Sequence, residues 1–187
     1  MLKFIIDNKK NHTKFLFLDR DGTLIPEPGD YWIRNKKEIH NLNFDPSLMK
    51  RLISLNFGLI VITNQRGIAL QEVKLDDYIE ICNEIENLLK QHGIDITAIL
   101  TCPHDSTCDY CRKPKPGMIL EAAKMYKIDL EKSWTIGDNQ SDIEAGINAK
   151  TKVVMCKKSS DEKLQHYPVF SSMNEALMYV IESEVNQ

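Results

Sequence analysis

What this 187-residue chain lacks narrows its function first. No apolar stretch approaches the roughly 20 residues that a membrane-spanning helix requires. Neither charge sign dominates either, since 24 Lys and Arg stand against 27 Asp and Glu, a net charge of −3. The basic residues are scattered apart from short groups such as "NKKN" and "IRNKK". These absences argue against a membrane protein and against a general nucleic-acid binder, which would show a basic face or track. There is no internal repeat, low-complexity tract or break in composition. Residues 1–187 therefore read as a single domain, with 42% hydrophobic residues to build one core. The opening "MLKFIIDNKKNH" is interrupted by Asp7 too early to form a signal-peptide core. A cytoplasmic monomer is the default expectation.

Cysteine is scarce as well, at five residues, yet Cys102, Cys108 and Cys111 fall within ten residues of one another together with His104. In a reducing compartment such a cluster reads as a metal site before it reads as disulfides. Three thiolates and one imidazole make up a closed tetrahedral zinc site with no open position, so the metal is expected to be structural and to pin a loop carrying Arg112 and Lys113. Free thiols around a polar loop are the plain alternative. Cys82 lies in a stripe of Ile79, Cys82, Ile85 and Leu89 at helical spacing and reads as core, as does Cys156 at the end of "KVVMC".

Apolar runs of strand length alternate with helical patterns. "KFLFLD", "GLIVIT", "ITAILT", "SWTIG" and "KVVMC" are the strands. "DPSLMKRLISL", "LDDYIEICNEIENLLKQH", "PGMILEAAKMY" and "SDIEAGINA" are the helices between them, and "SMNEALMYVIESE" closes the chain with Ser172 or Asn174 as its cap. Continuous apolar strands separated by helices predict an α/β fold, a parallel sheet with helices on both faces. In such sheets ligands bind beyond the carboxyl ends of the strands. The polar clusters fall there: Asp19 and Asp21, then Thr63, Asn64 and Gln65, then the Cys/His loop with "RKPKPG", then "GDNQSD" with Asp138 and Asp142. Burying even one unpaired carboxylate costs several kcal/mol, so two at the end of a core strand need a cation or a chemical use. Taken singly, each of these residues also reads as a turn, a solvated charge or a helix cap.

In this order the four clusters, with Gly22 turning the chain after "DRD", resemble the motifs of the haloacid dehalogenase (HAD) superfamily of phosphatases over roughly residues 13–156. The resemblance implies a Rossmann-like HAD fold. It implies Asp19 as the nucleophile that forms an aspartyl-phosphate, and Asp21 as the acid that protonates the leaving oxygen and later takes a proton from water. Mg²⁺ would be held by Asp19, the backbone carbonyl of Asp21 and Asp138, with Asp142 as a weaker candidate. Thr63 and Lys113 would assist catalysis, and Asn64, Gln65 and Arg112 would bind substrate. Mg²⁺ suits the task because a phosphate dianion repels an attacking carboxylate until its charge is neutralised.

"FLDRDGTLI", "ITNQRGI" and the zinc loop are similar to the branch containing heptose-1,7-bisphosphate 7-phosphatases and histidinol-phosphate phosphatases. There the last two cysteines are usually one residue apart, whereas two residues separate Cys108 from Cys111, and a Lys or Arg often stands where this chain has Asn139. The spacing between motifs leaves no room for a globular cap domain, so Pro26 to Phe44 and the zinc loop should form the rim of an open site. Within the branch, "KPKPGM" and the lack of a fused dehydratase domain favour a heptose bisphosphate, with Arg112 and Lys115, or Arg34 to Lys37, receiving the second phosphate. "LIPEP", with Glu27 and Asp30, suits the ammonium of histidinol phosphate instead. A polynucleotide 3′-phosphatase, for which the acidic balance is wrong, and a catalytically inert zinc-loop binding module are the remaining alternatives.

Overall fold

Strand β2 (Lys14–Leu18) shows how the sequence builds the sheet. Successive side chains of a strand point to opposite faces. Phe15 and Phe17 accordingly join one buried cluster with Ile60, Ile62, Leu100 and Met118, while Leu16 and Leu18 join another with Leu59, Val61, Tyr78 and Leu177. A strand buried on both sides has no polar positions to spare, which is why it reads as an uninterrupted apolar run.

The computed structural model describes residues 1–6, 12–29, 32–157 and 166–186. Around β2 the elements are β1 (Leu2–Ile5), α1 (Pro46–Ser54), β3 (Phe57–Asn64), a single-turn α2 (Arg66–Ala69), α3 (Leu75–Gln91), β4 (Ala98–Cys102), α4 (Gly117–Tyr126), β5 (Trp134–Gly137), α5 (Gln140–Asn148), β6 (Lys152–Met155) and α6 (Met173–Val185). The strands form one sheet in the order β1-β4-β3-β2-β5-β6. From β2 the chain moves outward through β3 to β4, then returns to place β5 on the other side of β2. The first two crossovers bring α1 and α3 to one face and the last two bring α4 and α5 to the other. The sheet thus has a topological switch at β2, the position where open α/β sheets leave a crevice.

The helix starts follow local chemistry. Asp45 caps α1 by accepting from the Ser47 N–H at 2.8 Å, with Pro46 in the first turn, and Ser172 rather than Asn174 caps α6.

Two sequence expectations are corrected. Ile79 is 38% exposed, because the buried stripe of α3 runs through Tyr78, Ile81, Cys82, Ile85 and Leu89 and turns Ile79 to its margin. Strand β1 was not expected at all; it pairs antiparallel with β4 at the sheet edge, half of its short length exposed, so it lacks the continuous apolar signature of the inner strands. The rim segment after β2 folds back onto the domain through buried Ile33, Ile39 and Phe44, and no separate globular unit is inserted among the described residues. Asp30 lies outside them. No helix there is long and apolar enough to cross a membrane.

Candidate active site

Asp19 takes its place from the sheet. Its N–H donates to Ile136 O of β5 at 3.0 Å, continuing the ladder one residue past β2. The chain then turns tightly, with the Leu24 and Ile25 N–H groups both donating to Arg20 O at 3.0 Å. Gly22 makes the turn possible in two ways: its φ is +77°, and a Cβ there would strike the carboxylate of Asp138.

Asp19 and Asp142 share one buried ammonium. Lys113, 5% exposed, forms an ion pair with Asp19, reaches Asp142 Oδ1 at 2.7 Å and donates to Ile62 O at 3.0 Å. Asn64 clamps the lysine's backbone reciprocally, donating from Nδ2 to Lys113 O at 3.1 Å and accepting the Lys113 N–H on Oδ1 at 3.0 Å. Asp142 is fixed in turn by a capping box at the start of α5, where its Oδ2 accepts the Asn139 N–H at 3.0 Å. Burial opposes the charge of Lys113, but Asp142 and Asp19 outweigh it and hold the ammonium protonated well above its ordinary range. Burial pushes the Asp19 carboxyl up to about 8, against the pull of Lys113 and with the help of Asp142 and Asp21. Asp138 is raised for the same first reason, burial, and then by Asp142. Carboxylates crowded in this way favour a further cation.

The donor chemistry fits a hard divalent ion. One oxygen from each of Asp19, Asp138 and Asp142 lies within 4.8 Å of the others, with no sulfur or nitrogen in the set. Lys157 borders it from the rim, its Nζ 3.4 Å from Asp138 Oδ2 and 2.9 Å from Glu27 Oε2.

Asp21 lines the same cavity as Asp19, Asp138 and Asp142. Its Oδ1 accepts Arg20 Nε at 2.9 Å; its Oδ2 accepts Arg20 Nη2 at 2.8 Å and Gln65 Nε2 at 3.0 Å. Gln65 Nε2 also reaches the Thr63 hydroxyl at 2.8 Å. Asp21, Gln65 and Thr63 line this cavity, of about 520 Å³, together with Glu27, Pro28, Trp32, Arg66, Arg112 and Ser141. Arg34 and Lys36 do not line it; they pair with Glu72 at 3.7 Å and Glu80 at 3.2 Å. A second anion would meet Arg66 and Arg112.

The Cys/His loop closes beside this cavity. Cys102 Sγ and His104 Nδ1 are 3.6 Å apart, His104 Nδ1 and Cys111 Sγ 3.3 Å, and Cys108 Sγ and Cys111 Sγ 3.4 Å. Such separations match a tetrahedron whose ligands stand about 2.0–2.3 Å from a zinc ion. The two-residue gap between Cys108 and Cys111 is absorbed by a turn that aims the N–H groups of Tyr110, Cys111 and Arg112 at Cys108. Although its partial burial acts against the thiolate, these donors lower Cys108 to about 6.

A family model described as polynucleotide kinase 3 phosphatase matches residues 14–168. The chain belongs to this family of haloacid dehalogenase phosphatases. A D-glycero-beta-D-manno-heptose-1,7-bisphosphate 7-phosphatase of Helicobacter pylori is 40% identical over 145 residues, 76% of this chain and 82% of that one. A D-glycero-alpha-D-manno-heptose-1,7-bisphosphate 7-phosphatase of Campylobacter jejuni is 33% identical over 174 residues, 92% of this chain and 99% of that one. A crystal structure of a D,D-heptose 1,7-bisphosphate phosphatase from B. bronchiseptica with magnesium and phosphate superposes with a TM-score of 0.79 at 25% identity, covering 91% of this chain and 99% of that one. The family resemblance read from the motifs is borne out, and the chain is a phosphoric monoester hydrolase.

In this phosphatase the structure brings Asp19, Asp21, Thr63, Asn64, Gln65, Arg112, Lys113 and Asp138 to one cavity. Asp142, the weaker metal candidate of the sequence, pairs directly with Lys113, and the side chains of Asn64 and Gln65 hydrogen-bond to Lys113, Asp21 and Thr63. Arg20 was not singled out by sequence reasoning, although an arginine between two motif aspartates after a core strand was a usable signal.

Proposed function

We propose that this phosphatase removes the 7-phosphate of a heptose 1,7-bisphosphate. The supporting observation is the meeting of Asp19, Asp21, Thr63 and Lys113 in one cavity lined also by Arg66 and Arg112, combined with relatives named for that substrate. A volume of about 520 Å³ is in the usual range for a small-molecule site. The two arginines give a bisphosphate a second ionic contact that a monophosphate lacks.

Asp19 is the nucleophile: its Oδ–P bond forms as the bond from phosphorus to the sugar oxygen breaks. Asp21 gives that oxygen a proton, then takes one from the water that hydrolyses the aspartyl-phosphate. Lys113 and the Thr63 hydroxyl hold the phosphoryl oxygens, while Asn64 keeps Lys113 in register. Mg²⁺, bound by Asp19, Asp138 and the Asp21 carbonyl, would supply the positive charge that lets two anions approach. Zinc at Cys102, His104, Cys108 and Cys111 would be structural.

The test is kcat/KM on both anomers of heptose 1,7-bisphosphate, on histidinol phosphate and on a 3′-phosphorylated oligonucleotide. A preference of about tenfold or more for a heptose bisphosphate, about 1.4 kcal/mol in the transition state, is expected. An equal preference for either other substrate would overturn the reading.

A further inference from the structure

Arg20 is 1% exposed, yet it sits one residue from the nucleophile and has no part in the reaction as described above. A buried guanidinium carries a desolvation penalty of several kcal/mol unless its donors are well used. Here two of its three nitrogens are used, on Asp21 and on the Gln65 amide beside it. Nε and Nη2 form a two-pronged pair with both Asp21 oxygens, at 2.9 and 2.8 Å. Nη2 also donates to Gln65 Oε1 at 3.1 Å, which orients that amide so that its Nε2 points at Asp21 and Thr63. The guanidinium carbon lies 5.8 Å from the centre of the Tyr78 ring, and Tyr78 is itself tied to Thr101 by a 2.6 Å hydroxyl contact. The remaining nitrogen, Nη1, is buried without a hydrogen-bond partner. Among the described residues none of its hydrogen bonds goes to a backbone carbonyl; all go to Asp21 and to the amide that supports it.

We propose that Arg20, braced by Gln65, is a positioning residue that holds the Asp21 carboxyl where its oxygen meets the leaving oxygen and then the attacking water. The proposal rests on the reading of Asp21 given above. In the first step Asp21 enters protonated, one oxygen accepting from Arg20 and the O–H of the other turned to the leaving oxygen; the Asp19–P bond forms, the P–O bond to the substrate breaks, the proton passes to the leaving oxygen and the full fork closes on the carboxylate left behind. In the second, the water–P bond forms, the Asp19–P bond breaks and a water proton returns to Asp21. The fork geometry, which lysine cannot reproduce, is the working feature.

Leaving groups separate this role from a structural one. A sugar alkoxide needs a proton as it departs, whereas 4-nitrophenolate does not. First-turnover rate constants, measured by rapid quench for Arg20→Lys and Arg20→Gln, should fall about tenfold to a hundredfold on heptose 1,7-bisphosphate and stay within about threefold on 4-nitrophenyl phosphate. Equal losses on both substrates, or no loss on the sugar phosphate, would overturn the positioning role. If Arg20→Lys fails to fold, judged by its melting curve, Arg20→Gln, whose uncharged amide is less costly to bury, carries the test alone. Asp21→Asn is the control: a full rate on the sugar phosphate would refute the acid–base reading itself. A collapse of that rate with equal losses in the other two variants would refute only the positioning role.

Discussion

Asp19 and Lys113 make opposite demands on stability, although both serve the same phosphoryl group. Asp19→Asn keeps the size of the side chain and leaves Lys113 its second partner, Asp142 at 2.7 Å. Turnover should disappear while the unfolding midpoint stays level or rises, because relieving a crowded carboxylate in an active site commonly stabilises a fold. Lys113→Met leaves two buried carboxylates without their shared cation. It should lower stability by about 3–5 kcal/mol in denaturant unfolding, besides removing activity. The identity of these residues was legible because motif spacing at strand ends constrains it. The use of Arg20 was not, since a sequence does not say which carboxylate a long basic side chain will find.

At the scale of elements, two attachments outside the site can be tested. Glu184 of α6 accepts Trp134 Nε1 at 2.8 Å and pairs with Lys152 and Lys14 at 2.9 Å, tying one helix to β5, β6 and β2. Burial opposes its charge, but these three donors outweigh burial and hold its pKa below 4.5. The folded pKa is therefore the lower one, and the stabilisation is present above pH 4.5 and lost as pH falls through the folded value. Glu184→Gln should cost about 1–3 kcal/mol at neutral pH. In urea unfolding its deficit should close as pH drops below that limit. The zinc loop is the other attachment. Cys111→Ser should lower the melting temperature and the rate together, because Arg112 and Lys113 directly follow that ligand. The inner strands and long helices were readable from period alone, but β1 was not, because four residues at a sheet edge carry too little pattern.

For the whole molecule, the two proposed metals should behave differently. Elemental analysis of protein purified without chelator should find one zinc per chain that survives dialysis, while Mg²⁺ exchanges freely and its removal stops turnover reversibly. A strong zinc chelator should lower thermal stability, whereas EDTA pulses too brief to strip the Cys/His site should affect only rate. Zinc-free protein with unchanged stability would count against the structural role.

The set of Mg²⁺ ligands was implied by motif resemblance, whereas sequence by itself determined the layered α/β class, the strand ends that carry polar residues and the composition of the Cys/His cluster. Those follow from period, from the cost of burying carboxylates and from ligand chemistry, all of which act over short stretches of chain. Tertiary structure alone decided which charges pair. Lys113 is 94 residues from Asp19 and 29 from Asp142, and Gln65 is 44 from Asp21. Only the switch of strand order at β2 brings them together. Which buried cation neutralises which carboxylate is set by distances across the folded sheet, and Coulomb energy in a weakly screened interior depends steeply on them.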